Sequence, residues 1–179
     1  MPRKPREEVE DGIHHVFARG NDRQLVFWDD EDRLRYLKGL CDVVWRQRWR
    51  CFAFCLMDNH LHLLVQTPEA NLGDGMRRLH GQYALLFNRR HNKVGHVFQG
   101  RFGSKLVRND EQLWTTARYI QRNPVEAGLC RNAVEWRWSS HRGTVEGTAP
   151  SWIDVPRFLS YFGTMGGEPK AVYSDLIDG

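Results

Sequence analysis

The chain has 179 residues, 41% of them hydrophobic, and a formal net charge of +4. That is enough apolar material for one sizeable core, in a single domain with room for a small appendage. No apolar run approaches the ~20 residues of a membrane-spanning helix, the charged stretch Met1 to Asp11 has no apolar signal-peptide core, and Cys41, Cys51, Cys55 and Cys130 form no Cys-x-x-Cys pair. The expectation is a cytoplasmic protein with reduced cysteines, no membrane partner, no zinc ribbon and no disulfide framework.

Residues 1–11 read as a flexible charged tail, and Ile13 to Ala18 as a first strand followed by turn chemistry at Gly20-Asn21-Asp22. Asp29 or Asp30 caps a helix to about Trp45, with Leu34, Leu37, Leu40, Cys41 and Val44 at helical spacing. Cys51 to Met57, the tight turn Asp58-Asn59 and His60 to Thr67 form a hairpin. Asn71 or Asp74 opens a second helix to about Arg90, whose stripe is Met76, Leu79, Tyr83, Leu86 and Phe87. Phe102 to Val107 is a fourth strand. Asn109 or Asp110 caps a third helix that Asn123-Pro124 brings to its end. Beyond it come apolar anchors and one short helix near Val155 to Tyr161. The order predicts an α+β, ferredoxin-like (split βαβ) antiparallel sheet with helices on one face, plus an extra helix toward the C-terminus. The other face is then available for a site.

His60 and His62 flank Leu61 in the returning strand. Strand side chains alternate between faces, so both imidazoles project side by side while Leu61, Leu63 and Val65 point the other way. Paired imidazoles on a rigid strand are a natural start for a metal site. Taken alone, the triplet is equally a pair of hydrogen-bonded histidines on a half-buried strand.

The positive charge is concentrated. Between Gly75 and Asn109 lie eight Lys or Arg and no Asp or Glu, leaving 18 basic and 22 acidic residues elsewhere. Tyr83, Phe87, Phe98 and Phe102 are interleaved with these cations, a composition suited to phosphate contact and base stacking. On the third helix the stripe is Leu113, Ala117 and Ile120, and Tyr119 lies about 125° from it at 100° per residue. Core packing therefore does not explain Tyr119. Asn123 stands one turn later on the same flank and Thr115 one turn earlier. A tyrosine hydroxyl can attack a phosphodiester and form a covalent phosphotyrosine, and an asparagine carbonyl can join two imidazoles around a divalent cation.

Several segments together resemble a known family. Leu56-Met57-Asp58-Asn59-His60-Leu61-His62-Leu63-Leu64 resembles the histidine motif of the single-tyrosine HUH transposases, of the insertion-sequence-200-like kind. Arg118-Tyr119-Ile120-Gln121-Arg122-Asn123-Pro124-Val125 resembles their tyrosine helix in the form typical of REP-associated tyrosine transposases. Gly95-His96-Val97-Phe98-Gln99-Gly100-Arg101-Phe102 and Arg19-Gly20-Asn21-Asp22-Arg23-Gln24 resemble further segments of that group. The likeness runs from about residue 12 to residue 142, with residues 143–179 an extension of unassigned role.

The resemblance implies a DNA endonuclease and strand transferase acting on single-stranded or hairpin DNA. Tyr119 would be the nucleophile, and His60, His62 and Asn123 would hold magnesium or manganese. Related transposases use a glutamine where Asn123 stands here, which makes Gln121 a competing ligand, although its offset puts it on another helix face. The DNA-contacting set expected is Arg77, Arg78, Arg89, Arg90, Lys93, Gln99, Arg101, Lys105 and Arg108. Monomer and homodimer are both compatible with the resemblance. Two alternatives stand beside this reading. One is a catalytically silent DNA- or RNA-binding module, for which a paired aromatic platform is missing, since alternation puts Phe52 and Phe54 on one face with no aromatic partner across from them. The other is a metal-dependent hydrolase, which calls for a carboxylate or a third histidine near the pair; Asp58 is adjacent and His80, His91 and His96 are unplaced.

Overall fold

The computed structural model describes residues 8–179. Most of the expected charged tail lies outside the described residues. Its last residues are tied down: the Glu8 carboxylate accepts from the Gly73 N–H (3.1 Å) and the Asp11 N–H donates to the Pro68 carbonyl (3.2 Å).

The chain runs β1 (Gly12–Arg19), α1 (Asp30–Arg46), β2 (Arg50–Leu56), β3 (His60–Thr67), α2 (Leu72–His91), β4 (Gly103–Val107), α3 (Asp110–Glu126), α4 (His141–Glu146), α5 (Val155–Ser160) and α6 (Pro169–Asp178). The strands form one antiparallel sheet in the order β2-β3-β1-β4. This is the α+β, split βαβ arrangement expected. Asp29 and Asn109 cap α1 and α3 by accepting from the Asp32 and Gln112 backbone N–H groups.

Alternation along β3 sorts the two faces. Leu61, Leu63 and Val65 join Tyr36, Leu40, Met76 and Leu79 in a core between the sheet and the pair α1 and α2. On the opposite face Leu64 packs with Phe52, Ala53 and Cys55 under Leu113, Ala117 and Ile120 of α3. Tyr173 and Ile177 of α6 and Phe158 of α5 complete this second core. The extra helix therefore covers the second face over β2 and reaches Ile13 of β1 and Val107 of β4, while the rest of that face, around His15, Phe17, His60 and His62, stays open. Gly103 of β4 sits against Phe17 of β1, where an added Cβ would fall 2.2 Å from the ring.

The C-terminal residues also cover the β2 edge. Leu56 donates to the Trp138 carbonyl (2.8 Å), Ser140 to that of Phe54 (3.0 Å) and Asp154 to that of Cys51 (2.8 Å), satisfying backbone groups that would otherwise form an exposed edge. The tail is fastened to the tyrosine helix as well: Arg118 and Arg122 donate to the carbonyls of Leu176 (3.0 Å) and Ile177 (2.8 Å) at the end of α6.

Four local expectations are corrected. Leu34 of α1 is 54% exposed, because Arg33, Tyr36, Leu40, Val43 and Val44 form the buried face instead; Arg33 earns its place through an ion pair with Asp58 and contacts over Phe27 and Trp138. Leu86 of α2 likewise faces solvent in part. Pro124 does not end α3, which continues to Glu126. Pro124 is buried and falls in the last turn, where Ala127 and Gly128 N–H groups close on the Asn123 and Val125 carbonyls, so burial outweighs the local bias. Finally, Phe52 and Phe54 do not share a face. The register shift between Cys51 and Ala53 sends Phe52 toward Phe158 and Phe54 toward Trp152. Both are buried, so neither offers a base-stacking surface.

Candidate active site

The open half of the second face forms a cleft of about 670 Å³ whose walls include His15, His60, His62, Gln99, Lys105 and Tyr119. Strand register assembles its floor. Phe17 of β1 lies opposite His62 and Arg19 opposite His60, while Lys105 of β4 lies opposite His15. The rings of His60 and His62 stand 5.2 Å apart between centroids, nearly perpendicular.

Helix α3 supplies the roof. Its buried stripe holds the helix on the sheet and leaves Tyr119 on the flank, 52% exposed. The Tyr119 ring meets His62 edge-on at 5.3 Å and His15 at 5.8 Å between centroids. One turn later, Asn123 Oδ1 lies 2.8 Å from His60 Nε2. The structure thus brings Tyr119, His60, His62 and Asn123 together. Gln121 is taken elsewhere: it is fully buried, and its amide donates to Ser140 Oγ (2.8 Å) beneath the helix.

Electrostatics keep the imidazoles neutral. Burial, followed by the neighbouring His15, His60 and Arg19, pushes His62 down to about 3. Burial and then Lys105 push His15 down to about 4. His60 is lowered by burial against a smaller opposing effect from its Asn123 contact. Neutral imidazole is the metal-binding form. Among the described residues His62 Nε2 is buried with no hydrogen-bond partner, and His60 Nε2 faces a carboxamide oxygen. The two imidazole nitrogens and the one neutral oxygen fit a divalent cation as a donor set, and they suit magnesium, manganese or zinc in rising order of nitrogen preference. Among the described residues, no group of three or more His, Cys, Asp or Glu side chains is placed to hold a metal, and no carboxylate lines the cleft.

The basic segment is divided by the fold. Gln99 and Lys105 line the cleft. Arg108 lines an adjoining groove that shares His15, Lys105, Thr115 and Thr116 with it. Arg77, Arg78, Arg89 and Arg90 lie on α2, behind the sheet from the histidines. Arg77 pairs with Asp74 (3.0 Å), and Arg90 with Asp29 (2.6 Å) and the buried Asp32 (2.7 Å). Lys93 sits over the Trp28 ring and Arg101 beside Arg77 in a separate cleft. The three unplaced histidines also lie away from the pair. His80 stacks on Phe98 at 4.1 Å, His91 contacts Asp32 at 2.9 Å, and His96 lines the cleft beside Arg77. Sequence reasoning missed His15. The signal was present in principle, since His15 shares its face with Phe17, but only the β1–β3 register puts it beside His62.

An antiparallel four-stranded sheet bearing paired histidines, crossed by a helix with an outward tyrosine, defines the class. The profile of the family described as "Transposase IS200 like" matches residues 8–123, and the chain belongs to that family. It is 32% identical over 102 residues to a Haemophilus influenzae protein assigned by name to the REP-associated tyrosine transposases, a match covering 50% of this chain and 58% of that relative. The chain thus spans little more than half the length of that relative. Its fold is similar to a solved REP-associated tyrosine transposase bound to a REP hairpin, with a TM-score of 0.70 at 20% identity, over 84% of this chain and 89% of that one. Among the described residues, no helix is long and apolar enough to cross a membrane.

Proposed function

We propose that the protein is a DNA transposase acting as a single-strand endonuclease and strand transferase on single-stranded or hairpin DNA. The observation that carries this reading is the convergence of the Tyr119 ring on His62 and of Asn123 on His60, the two imidazoles that line one open cleft. Family membership and the hairpin-bound state of the structural relative support DNA as the partner.

In this reading His60, His62 and Asn123 hold magnesium or manganese. Such an ion, held there, would supply Lewis-acid polarisation of the scissile phosphate. Half-exposed Tyr119 is free to swing onto phosphorus, its oxygen forming the new bond in line with the departing 3′-oxygen. The phenol proton leaves as the oxygen–phosphorus bond forms, and the departing 3′-oxygen takes up a proton as its bond to phosphorus breaks. The products are a 5′-phosphotyrosine and a free 3′-hydroxyl, and attack by another 3′-hydroxyl reverses the step. Lys105 lines the cleft, which supports a contact between its ammonium and the phosphate backbone. Among the described residues no carboxylate lines the cleft to activate water, which disfavours the hydrolase alternative. The localisation expected is cytoplasmic, and the chain works as a monomer or homodimer.

Incubation with a panel of labelled single-stranded hairpins and manganese tests the reading. A protein–DNA band that resists denaturation is expected from the wild type. Metal-dependent cleavage without any adduct would favour hydrolysis instead.

A further inference from the structure

Each imidazole of the pair has an acceptor behind it, and the two arrangements match. At His60, the Asn59 amide nitrogen donates to the Arg23 carbonyl (3.4 Å), which turns Asn59 Oδ1 toward the ring. There it accepts from His60 Nδ1–H (2.7 Å). His60 Nε2 is then a bare lone pair, facing Asn123 Oδ1 at 2.8 Å. Two acceptors at that distance repel each other unless a cation lies between them or the Asn123 amide is turned to donate.

At His62, Nδ1 lies 3.0 Å from His15 Nε2, and Nε2 is buried with no partner among the described residues. One proton occupies the His15–His62 contact, and it has two possible owners. If His15 donates, His62 carries its own proton on Nε2, as a buried N–H without an acceptor. Orphaned N–H donors are the rarer kind of unsatisfied buried group, and costly. If His62 donates through Nδ1, its Nε2 is a bare lone pair, as at His60.

We propose that His15 is a positioning residue whose Nε2 accepts from His62 Nδ1–H, holding His62 in the tautomer that presents Nε2 beside His60 Nε2. His15 is well placed for this. It is 8% exposed, and its ring is held between Phe17 at 5.4 Å and Tyr119 at 5.8 Å. Metal-binding histidines commonly direct their second nitrogen to a carboxylate, a carbonyl or water. Here the acceptors are a carboxamide and a neutral imidazole, which orient both rings without adding negative charge beside the cation. The inference rests on the reading of His60 and His62 as ligands.

The test is nuclear magnetic resonance of the metal-free protein, where long-range proton–nitrogen correlations report which ring nitrogen carries the proton, combined with Mn²⁺ titration. Wild-type His62 is expected to be protonated at Nδ1. His15→Leu removes the acceptor; it should move the proton to Nε2 and raise the Mn²⁺ dissociation constant about 10-fold or more. His15→Gln, whose Oε1 reaches about as far as an imidazole Nε2, should restore the Nδ1–H tautomer and most of the affinity. A wild-type His62 protonated at Nε2 overturns the proposal whatever the variants do, and so does a folded His15→Leu protein that binds Mn²⁺ as tightly as wild type. A wild type that binds no Mn²⁺ while showing the expected tautomer would refute the ligand reading, and with it the role given to His15.

Discussion

Gln121 and Asn123 are two residues apart on α3, and the account gives them opposite tasks, so their leucine variants should fail in opposite ways. Gln121 is fully buried, donates to Ser140 Oγ at 2.8 Å and, among the described residues, leaves its own Oε1 without a partner. Gln121→Leu loses the bond to Ser140 and the Gln121 contact with the Tyr173 hydroxyl but also removes an unsatisfied acceptor, and Ser140 Oγ keeps its contact with the Phe54 N–H (3.0 Å). The expected cost is about 1 kcal/mol, a fall in Tm of roughly 3 °C for a chain of this size, with Mn²⁺ affinity and cleavage retained. Asn123 is half-buried and touches His60 through Oδ1. Asn123→Leu should change stability by no more than about 0.5 kcal/mol, while raising the Mn²⁺ dissociation constant about 10-fold or more. Differential scanning calorimetry and Mn²⁺ titration on both variants give the comparison. If folded Gln121→Leu loses metal binding and Asn123→Leu keeps it, the ligand assignment is refuted.

The division of the basic segment makes a second contrast. Lys105→Ala should weaken binding of a hairpin and reduce the slope of log affinity against log salt by about 1, measured by anisotropy between low and moderate salt. Arg90→Ala should leave that slope unchanged and lower the urea midpoint, since buried Asp32 would lose its guanidinium partner and keep His91 and the Trp28 N–H; equal effects of the two changes on DNA binding would contradict the account. Acid should destabilise the fold. His14 and His141 are fully buried, and burial lowers both below the ordinary 6.5. On acidification the unfolded chain therefore takes up protons first, so stability is intact above pH 6.5 and declines below it, by at most about 1.4 kcal/mol per pH unit for each histidine. A urea midpoint at pH 5.5 equal to or above that at pH 7.5 would refute this.

The sheet was legible because its signals are local. His60 to Thr67 reads as a strand from alternation, and the observed β3 has the same bounds. The outward set of Tyr119 followed from helical phase, and its exposure agrees. Three things were not legible, each because a tertiary contact decided it. Pro124 stays helical because it is buried. Arg33 displaces Leu34 from the buried face of α1 because Asp58, Phe27 and Trp138 surround it. The helices α4 and α6 were missed because their stability comes from what they dock on: His141 contacts Tyr173 (3.0 Å) and Asp178 (3.0 Å), joining the two helices through side chains distant in sequence. At the site, chain order supplied His60, His62, Tyr119 and Asn123 as candidates, whereas His15 required the register of β1 on β3. Charge density marked residues 75–109 as basic, but it could not say that α2 carries half of those cations behind the sheet.

The central claim is that one phenol oxygen takes up the cleaved strand. Tandem mass spectrometry of the trypsin-digested product, after reaction with a cleavable hairpin and Mn²⁺, tests it most directly. The account predicts a nucleotide mass on the peptide Tyr119–Arg122, carried by Tyr119, and no adduct from a folded, DNA-binding Tyr119→Phe protein. A nucleotide on any other residue, or an adduct that survives the phenylalanine change, would contradict it.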